Sequence, residues 1–523
     1  SLRAVRETGK IYRDAPRAFA DLAGFYGQDF FLPASLLEEN YVEDFMSNSK
    51  NAIPETGIYD ARKLGVPKML ILGLQHLFAM FGATVLVPLL TGLSISSTLL
   101  FAGLGTLFFH LVTGGKVPAF LGSSFAFLGG YGAITGLADE TMSTSQLLPY
   151  ACLGVACAGL VYLILAALIK FIGANKVMRF FPPVVTGPII IAIGLGLAGS
   201  AVSNCQTNWL VALIALAIII IFNVWGRGMA KIVPILLGVL GSCACAAILA
   251  ACFGQTVEVD GAQYIAIAGK ENLLLFSSAA LEQLKSAAWI GLPFKWQDTV
   301  FSIDWSNSSL IISSIVAIVP ISLATMMEHI GDISAISSTV GKNFIADPGL
   351  HRTLLGDGLA TTFASLFGAP ANTTYGENTG VLALSKVYDP RVIRIAAVFA
   401  AVLSFCPKFA AVVNLIPTAV IGGISFVLYG MISAIGVRNV VENKVDFTKS
   451  RNLIVAAIIL VCALGLGSVS FTVGGIAITL SALAVASIAG IVLNAVLPGK
   501  DYEFGRDEGG AQAVDFQINS SKK

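Results

Sequence analysis

A glutamate at position 377 sits in the stretch NTTYGENTG (372–380), in a region where most neighbours are Leu, Ala, Val or Ile. Glu328 and Asp332, in TMMEHIGDIS (325–334), are acids in a similar setting, four residues apart and so on one face of a helix. A charged carboxyl at the centre of a bilayer costs about 2.5–3.5 kcal/mol on insertion scales, so it persists where it pairs, takes up a proton or faces a polar cavity. Two kinds of chemistry fit: a cavity that binds a hydrogen-bonding ligand together with a proton, or a polar contact that holds helices together. His76 is another ionisable group in an apolar run. His329, next to Glu328, is turned off that residue's face. Phe125, between a Ser pair and a Gly pair, offers a flat ring for stacking or for ordinary packing. Asp357, in LGDGLA, caps or holds a short segment or plays a secondary role in the site.

The elements that must position these groups are membrane segments. The chain has 523 residues, of which 56% are hydrophobic and 12% charged, and the low charged share argues against a soluble domain. Runs such as 69–92 and 210–225 approach the roughly 20 apolar residues that cross a bilayer. Lys plus Arg (32) nearly balance Asp plus Glu (31), which leaves no bias towards nucleic acid. The first 66 residues are polar and lack the short apolar core of a signal peptide, so the first hydrophobic segment is expected to remain as an anchor.

Hydrophobic segments between charged breaks suggest fourteen spans, with 119–135, 353–369 and 373–387 short for a full crossing. Basic connections, among them those with Lys176 and Arg179 and with Lys444, Lys449 and Arg451, alternate with lean ones such as 137–146. The positive-inside rule makes the basic set cytoplasmic and, with an even span count, both termini as well. The expected divisions are a cytoplasmic segment 1–66, a transporter domain 67–498, an extracellular insertion 253–308 and a cytoplasmic tail 499–523. Two strands (TVEVDG, QYIAIAG) and an amphipathic piece are expected in the insertion.

Seven spans per half suggest an internal repeat. Gln75-His76 in the first span corresponds to Glu328-His329 in the eighth, and GSSFAFLGG (122–130) in the third to TTYGENTG (373–380) in the tenth. Paired interruptions in matching positions point to a mid-membrane ligand site, and an odd number of spans per half makes the second half inverted. The expected fold is therefore an all-α polytopic membrane protein of two inverted seven-span repeats, with short broken or extended pieces in spans 3 and 10.

Other chemistries lack their residues. EHIGD is not the H-E-x-x-H zinc pattern, no G-x-S-x-G elbow occurs, and the eight cysteines lie mostly in apolar runs without the His spacing of a zinc site. Neither an enzyme nor a resident metal is expected.

Five blocks in order, LQHLFAMFGATVLVP (74–88), VPAFLGSSFAF (117–127), EHIGD (328–332), DPGLHR (347–352) and ANTTYGENTGVLALSKVY (371–388), resemble the nucleobase-ascorbate transporter family, most closely its bacterial uracil permeases. The resemblance runs over roughly 66–497. It implies a proton-coupled symporter with no cofactor beyond the proton, built from a core of spans 1–4 and 8–11 (about 67–172 and 309–411). A gate of spans 5–7 and 12–14 (about 183–252 and 413–497) would support that core. By the same resemblance Glu328 and Glu377 hold the pyrimidine, Phe125 forms an aromatic wall, and Tyr375 and Gly376 supply backbone beside it. His76, Ala83 and Tyr429 would line the site or couple it, and Glu377 or Asp332 would carry the proton. Glu377 resembles the uracil branch, whereas Asp332 and Asp357-Gly358 resemble the purine branch, so xanthine stays open beside uracil. A passive channel and a non-transporting receptor are the other classes. Relatives suggest a homodimer in the inner (plasma) membrane.

Overall fold

Helix boundaries follow local capping chemistry. In the computed structural model, residues 57–499 are described apart from 141, 174, 175, 178, 260, 474 and 475. Helix α1 (Val66–Thr91) has Pro67 in its first turn and stops at Gly92, whose φ of 82° is a left-handed cap suited to glycine. Helix α2 (Ile95–Val112) starts where the Ser94 side chain accepts from Ser97 N. After it the chain runs extended as β1 (Leu121–Ser123) and turns into the eight-residue α3 (Leu128–Thr135). The long α4 (Thr144–Ile172) opens on a Ser143/Gln146 capping box. Then come α5 (Pro183–Gly196), α6 (Ala198–Gln206), α7 (Trp209–Val224), α8 (Met229–Ile232) and α9 (Pro234–Phe253).

Directly after α9 lie three antiparallel strands, β2 (Gly254–Val259), β3 (Ala262–Ile267) and β4 (Lys270–Ser277), followed by α10 (Ser278–Ser286). Helix α11 (Ser308–Ile318) continues through a tight turn at Pro320 into α12 (Ser322–Val340). Helix α13 (Leu350–Leu366) precedes β5 (Asn372–Thr374) and α14 (Gly376–Ser385). The chain ends its described course as α15 (Pro390–Ser404), α16 (Pro407–Asn414), α17 (Thr418–Glu442), α18 (Ser450–Gly465), the hairpin β6 (Ser468–Val473) and β7 (Ile476–Ser481), and α19 (Ala482–Val496).

Among the described residues seven helices or helix pairs are long and apolar enough to cross a bilayer, and an eighth if α15 and α16 count as one. Apolar side chains such as Ile164, Phe171, Ile248, Val402 and Val461 stand exposed on the outer surface, a pattern suited to lipid rather than water. Helices α1, α2, α4, α11, α13 and α15 pack among themselves, and so do α5, α7, α9, α17, α18 and α19. Close approach is built on small residues: a Cβ on Gly159 of α4 would stand 2.6 Å from the Gly358 carbonyl of α13, and one on Gly358 would stand 2.7 Å from the Gly159 carbonyl.

Four expectations change here. The 253–308 insertion has three strands instead of two, so the fold is mostly helical rather than all-α. The expected span 391–411 is two helices bent by 89°, because Pro407 has no N–H to continue the ladder of α15. The expected span 474–497 holds the second strand of a β-hairpin and a 15-residue helix, since β-branched residues on both sides of Gly474-Gly475 favour paired strands. Residues 57–65, assigned by sequence to the separate 1–66 segment, dock on the body. Ile58 N donates to Lys386 O at 2.7 Å, Tyr388 N to Ile58 O at 2.8 Å, and Ala61 N to the Asp389 carboxylate at 2.7 Å. Residues 1–56 and the 500–523 part of the tail lie outside the described residues.

Candidate functional site

Spans 3 and 10 are interrupted as their Gly- and hydroxyl-rich sequences suggest. Strands β1 and β5 pair antiparallel, with Leu121 opposite Thr374, Gly122 opposite Thr373 and Ser123 opposite Asn372. Each strand leads into a helix of eight or ten residues, about 12–15 Å long, at most about half the bilayer core. Extended backbone at that depth is tolerated only inside protein, and all six strand residues are buried.

A threonine from a neighbouring helix holds each strand. Thr106 of α2 accepts from Leu121 N at 2.9 Å and donates to Leu121 O at 3.3 Å. Thr361 of α13 accepts from Asn372 N at 3.2 Å and donates to Asn372 O at 2.9 Å. Asn372 also donates to the Phe101 carbonyl of α2 at 3.1 Å, which ties β5 to the opposite half.

The acids gather beside this strand pair. Asp332 of α12 accepts from Thr374 Oγ1 at 2.8 Å. Glu377, in the first turn of α14, is half-buried, and α14 packs on both α12 and α1. Glu328, one turn before Asp332, lies within electrostatic reach of Glu377 and Asp357. Among the described residues no Lys or Arg pairs with any of these four carboxyls. Tyr375 donates from its hydroxyl to Ser123 O at 3.0 Å and from its amide to Phe120 O at 3.0 Å, so it locks α14 to β1. Gly376 is exposed, and a Cβ there would meet nothing within 4 Å. Open space thus lies at the start of α14, beside Glu377.

The remaining predicted residues fall around that space to differing degrees. Phe125 and Tyr429 meet edge to face with ring centroids 6.2 Å apart, bringing α17 against the β1–α3 turn. His76 is fully enclosed, and Asn378 donates from its amide to both His76 Nδ1 and His76 O at 3.1 Å. An acceptor role for Nδ1 puts the proton of a neutral ring on Nε2. Ala83 is enclosed in the apolar core of α1, one residue before Thr84, whose carbonyl accepts from Ser123 Oγ at 2.9 Å.

Two features were less legible in the sequence. His329 Nδ1 stands 2.9 Å from Asp357 Oδ2 with both side chains fully buried, the oxygen lying off the ring N–H direction. His329 is adjacent to Glu328 and so turned off that residue's face, and its partner is on α13. His76 and His329, equivalent by sequence, therefore have unlike partners. Asn378 was the other omission as a site residue; the sequence signal for it was its place in Glu377-Asn378-Thr379-Gly380, an acid followed by N-x-G within one of the blocks that carry the family resemblance.

Comparison with known proteins identifies the family. The family model described as "Permease family" matches residues 67–474. A uracil permease of Bacillus caldolyticus is 38% identical over 463 residues, 86% of this chain and 95% of that protein. A putative pyrimidine permease RutG of Escherichia coli (strain K12) is 36% identical over 456 residues, 86% of this chain and 94% of that protein. Among solved structures, the transmembrane domain of a cyanobacterial bicarbonate transporter, BicA, aligns with a TM-score of 0.56 at 16% identity, covering 84% of this chain and all of the other. The overall structure of SLC26A9 aligns with a TM-score of 0.57 at 13% identity, covering 90% and 72%, so both likenesses speak to fold alone. These relatives are transporters, which agrees with the absence of enzyme motifs. The chain belongs to the permease family, the nucleobase-ascorbate transporters among which the bacterial uracil permeases fall, and is a multi-pass membrane protein.

Proposed function

We propose that this protein imports uracil together with a proton by alternating access. The observation that carries the reading is the antiparallel pairing of β1 and β5, each opening a half-length helix, beside four carboxyls with which no Lys or Arg pairs among the described residues. Uracil is flat and uncharged, with two N–H donors and two carbonyl acceptors. Glu328 and Glu377 suit the donors, and amides at the start of α14 suit a carbonyl, with the open space at Gly376 leaving room for the ring. Phe125 forms one wall of the site. Because the ligand carries no charge, uphill movement needs a coupled ion.

A carboxyl that alternately loads and releases a proton meets that need. Asp332 is bonded to Thr374, three residues before Glu377, so a change in its proton occupancy acts on the strand that leads to the ligand. His76 reaches the first turn of α14 through Asn378, and Tyr429 reaches the facing β1–α3 turn through Phe125. The matched threonine clasps on β1 and β5 support two seven-span repeats, and antiparallel strands suit an inverted pair related by a two-fold axis in the membrane plane. The two groups of mutually packed helices correspond to a core and a gate. Both termini would face the cytoplasm from the inner membrane, with two copies associating through gate helices. The relatives named uracil and pyrimidine permeases favour uracil over xanthine.

Uptake of labelled uracil into proteoliposomes under an imposed pH gradient tests the reading. Accumulation that collapses with the gradient and is lost in Glu377→Gln is the expected result. Accumulation indifferent to the gradient would leave a passive channel, and xanthine outcompeting uracil would reverse the substrate assignment.

A further inference from the structure

A cavity lies apart in sequence from these acids, at the ends of α5, α18 and α19. It encloses about 400 Å³ between the 176–184 link into α5, the 443–449 loop and first turn of α18, and the last turn of α19. Its lining carries Lys176, Arg179, Lys444, Lys449 and Arg451 against one acid, Asp446. Asp446 is engaged within its own loop, accepting from Thr448 N at 2.9 Å and Thr448 Oγ1 at 2.6 Å, contacts that hold its carboxyl below the usual range. Among the described residues Lys176, Arg179, Lys444 and Arg451 form no ion pair with a carboxylate.

Arg451 is positioned by neutral groups. Its Nη2 donates to Asn494 Oδ1 at 2.7 Å and to Asn494 O at 2.9 Å, and its Nη1 to Asn452 Oδ1 at 3.2 Å, while its Nε is closed off from solvent without a partner. Asn494 in turn reaches the carbonyls of Arg179 and Phe180 at 3.4 and 3.5 Å, which joins the three walls. A guanidinium fixed by amides keeps its full charge, and the surrounding cations add to it. The lining also has an apolar part, with Phe180, Pro182, Pro183, Val184 and Val445.

We infer that this cavity is a binding site for a phosphate ester, the headgroup of an anionic phospholipid. Basic side chains together with apolar surface in one cavity, at the ends of membrane helices, match an amphiphile whose phosphate enters the pocket while its chains stay in the bilayer. A free phosphate offers the same anion without the apolar part.

The test uses the full chain in nanodiscs and compares retention and thermal protection by phosphatidylglycerol, phosphatidylcholine and inorganic phosphate. Phosphatidylglycerol should be retained over phosphatidylcholine. A Lys176→Gln/Arg179→Gln/Lys444→Gln variant, monodisperse by size exclusion, should lose that preference by on the order of a hundredfold, from three surface charges. A Lys270→Gln/Lys285→Gln/Lys295→Gln variant in the 253–308 insertion should keep it. Equal loss in both variants, or none in the first, would overturn the site. Protection by inorganic phosphate with no phosphatidylglycerol preference would overturn the lipid assignment.

Discussion

Replacing Gly122 by Ala tests whether the strand pair positions the ligand site. A Cβ on Gly122 would press into the Tyr375 ring at Cζ and Cε2 and stand 2.8 Å from Thr84 Oγ1. The ring has little room to yield, because it is buried and its hydroxyl is bonded to Ser123 O. Overpacking of this kind costs about 1–3 kcal/mol, and loss of the hydroxyl's hydrogen bond adds about 1 kcal/mol, so Gly122→Ala should destabilise by about 2–4 kcal/mol. Tyr375→Leu removes the ring and leaves only Thr84 Oγ1 close, so Gly122→Ala should cost clearly less in the Tyr375→Leu background than by itself. Gly376→Ala is the counterpart: its Cβ meets nothing, so stability should hold while uracil uptake falls as the methyl fills the space beside Glu377. Thermal unfolding in detergent and proteoliposome uptake measure the two effects. Simple additivity of Gly122→Ala and Tyr375→Leu, or unchanged uptake in Gly376→Ala, would refute the reasoning.

Thr361→Val strips both the donor and the acceptor from Asn372 and should cost about 1–3 kcal/mol in thermal unfolding, with Thr106→Val showing a similar loss at Leu121. Thr374→Val removes the hydroxyl that bonds Asp332 and should shift the pH profile of uptake while leaving uracil binding nearly intact, as measured by calorimetry at fixed pH. Asp60 is bonded by Arg62, which, with Arg391 nearby, holds its carboxyl down from 3.8 to about 2. A depressed acid stabilises the fold above its unfolded value and loses that contribution as pH falls. Hydrogen-exchange protection of residues 57–65 should therefore drop between about pH 3.8 and about 2, and the drop should be absent in Asp60→Asn.

The membrane class, the helical character and the interruptions at 119–135 and 373–387 were written into composition and spacing. Apolar length and the cost of a buried carboxyl are local quantities, so Glu328, Asp332 and Glu377 could be singled out one by one. The last expected span and the bend at Pro407 were misjudged because hydropathy does not distinguish a short apolar hairpin or a broken helix from a straight crossing. Which polar groups meet was decided only by tertiary structure. His329 finds Asp357 28 residues on, His76 finds Asn378 302 residues on, and Ser123 finds Asn372 and Tyr375 in the other half. A sequence records that each such group must be satisfied, while its partner depends on how helices cross, and that crossing is set by small-residue contacts such as Gly159 against Gly358, which no single segment encodes.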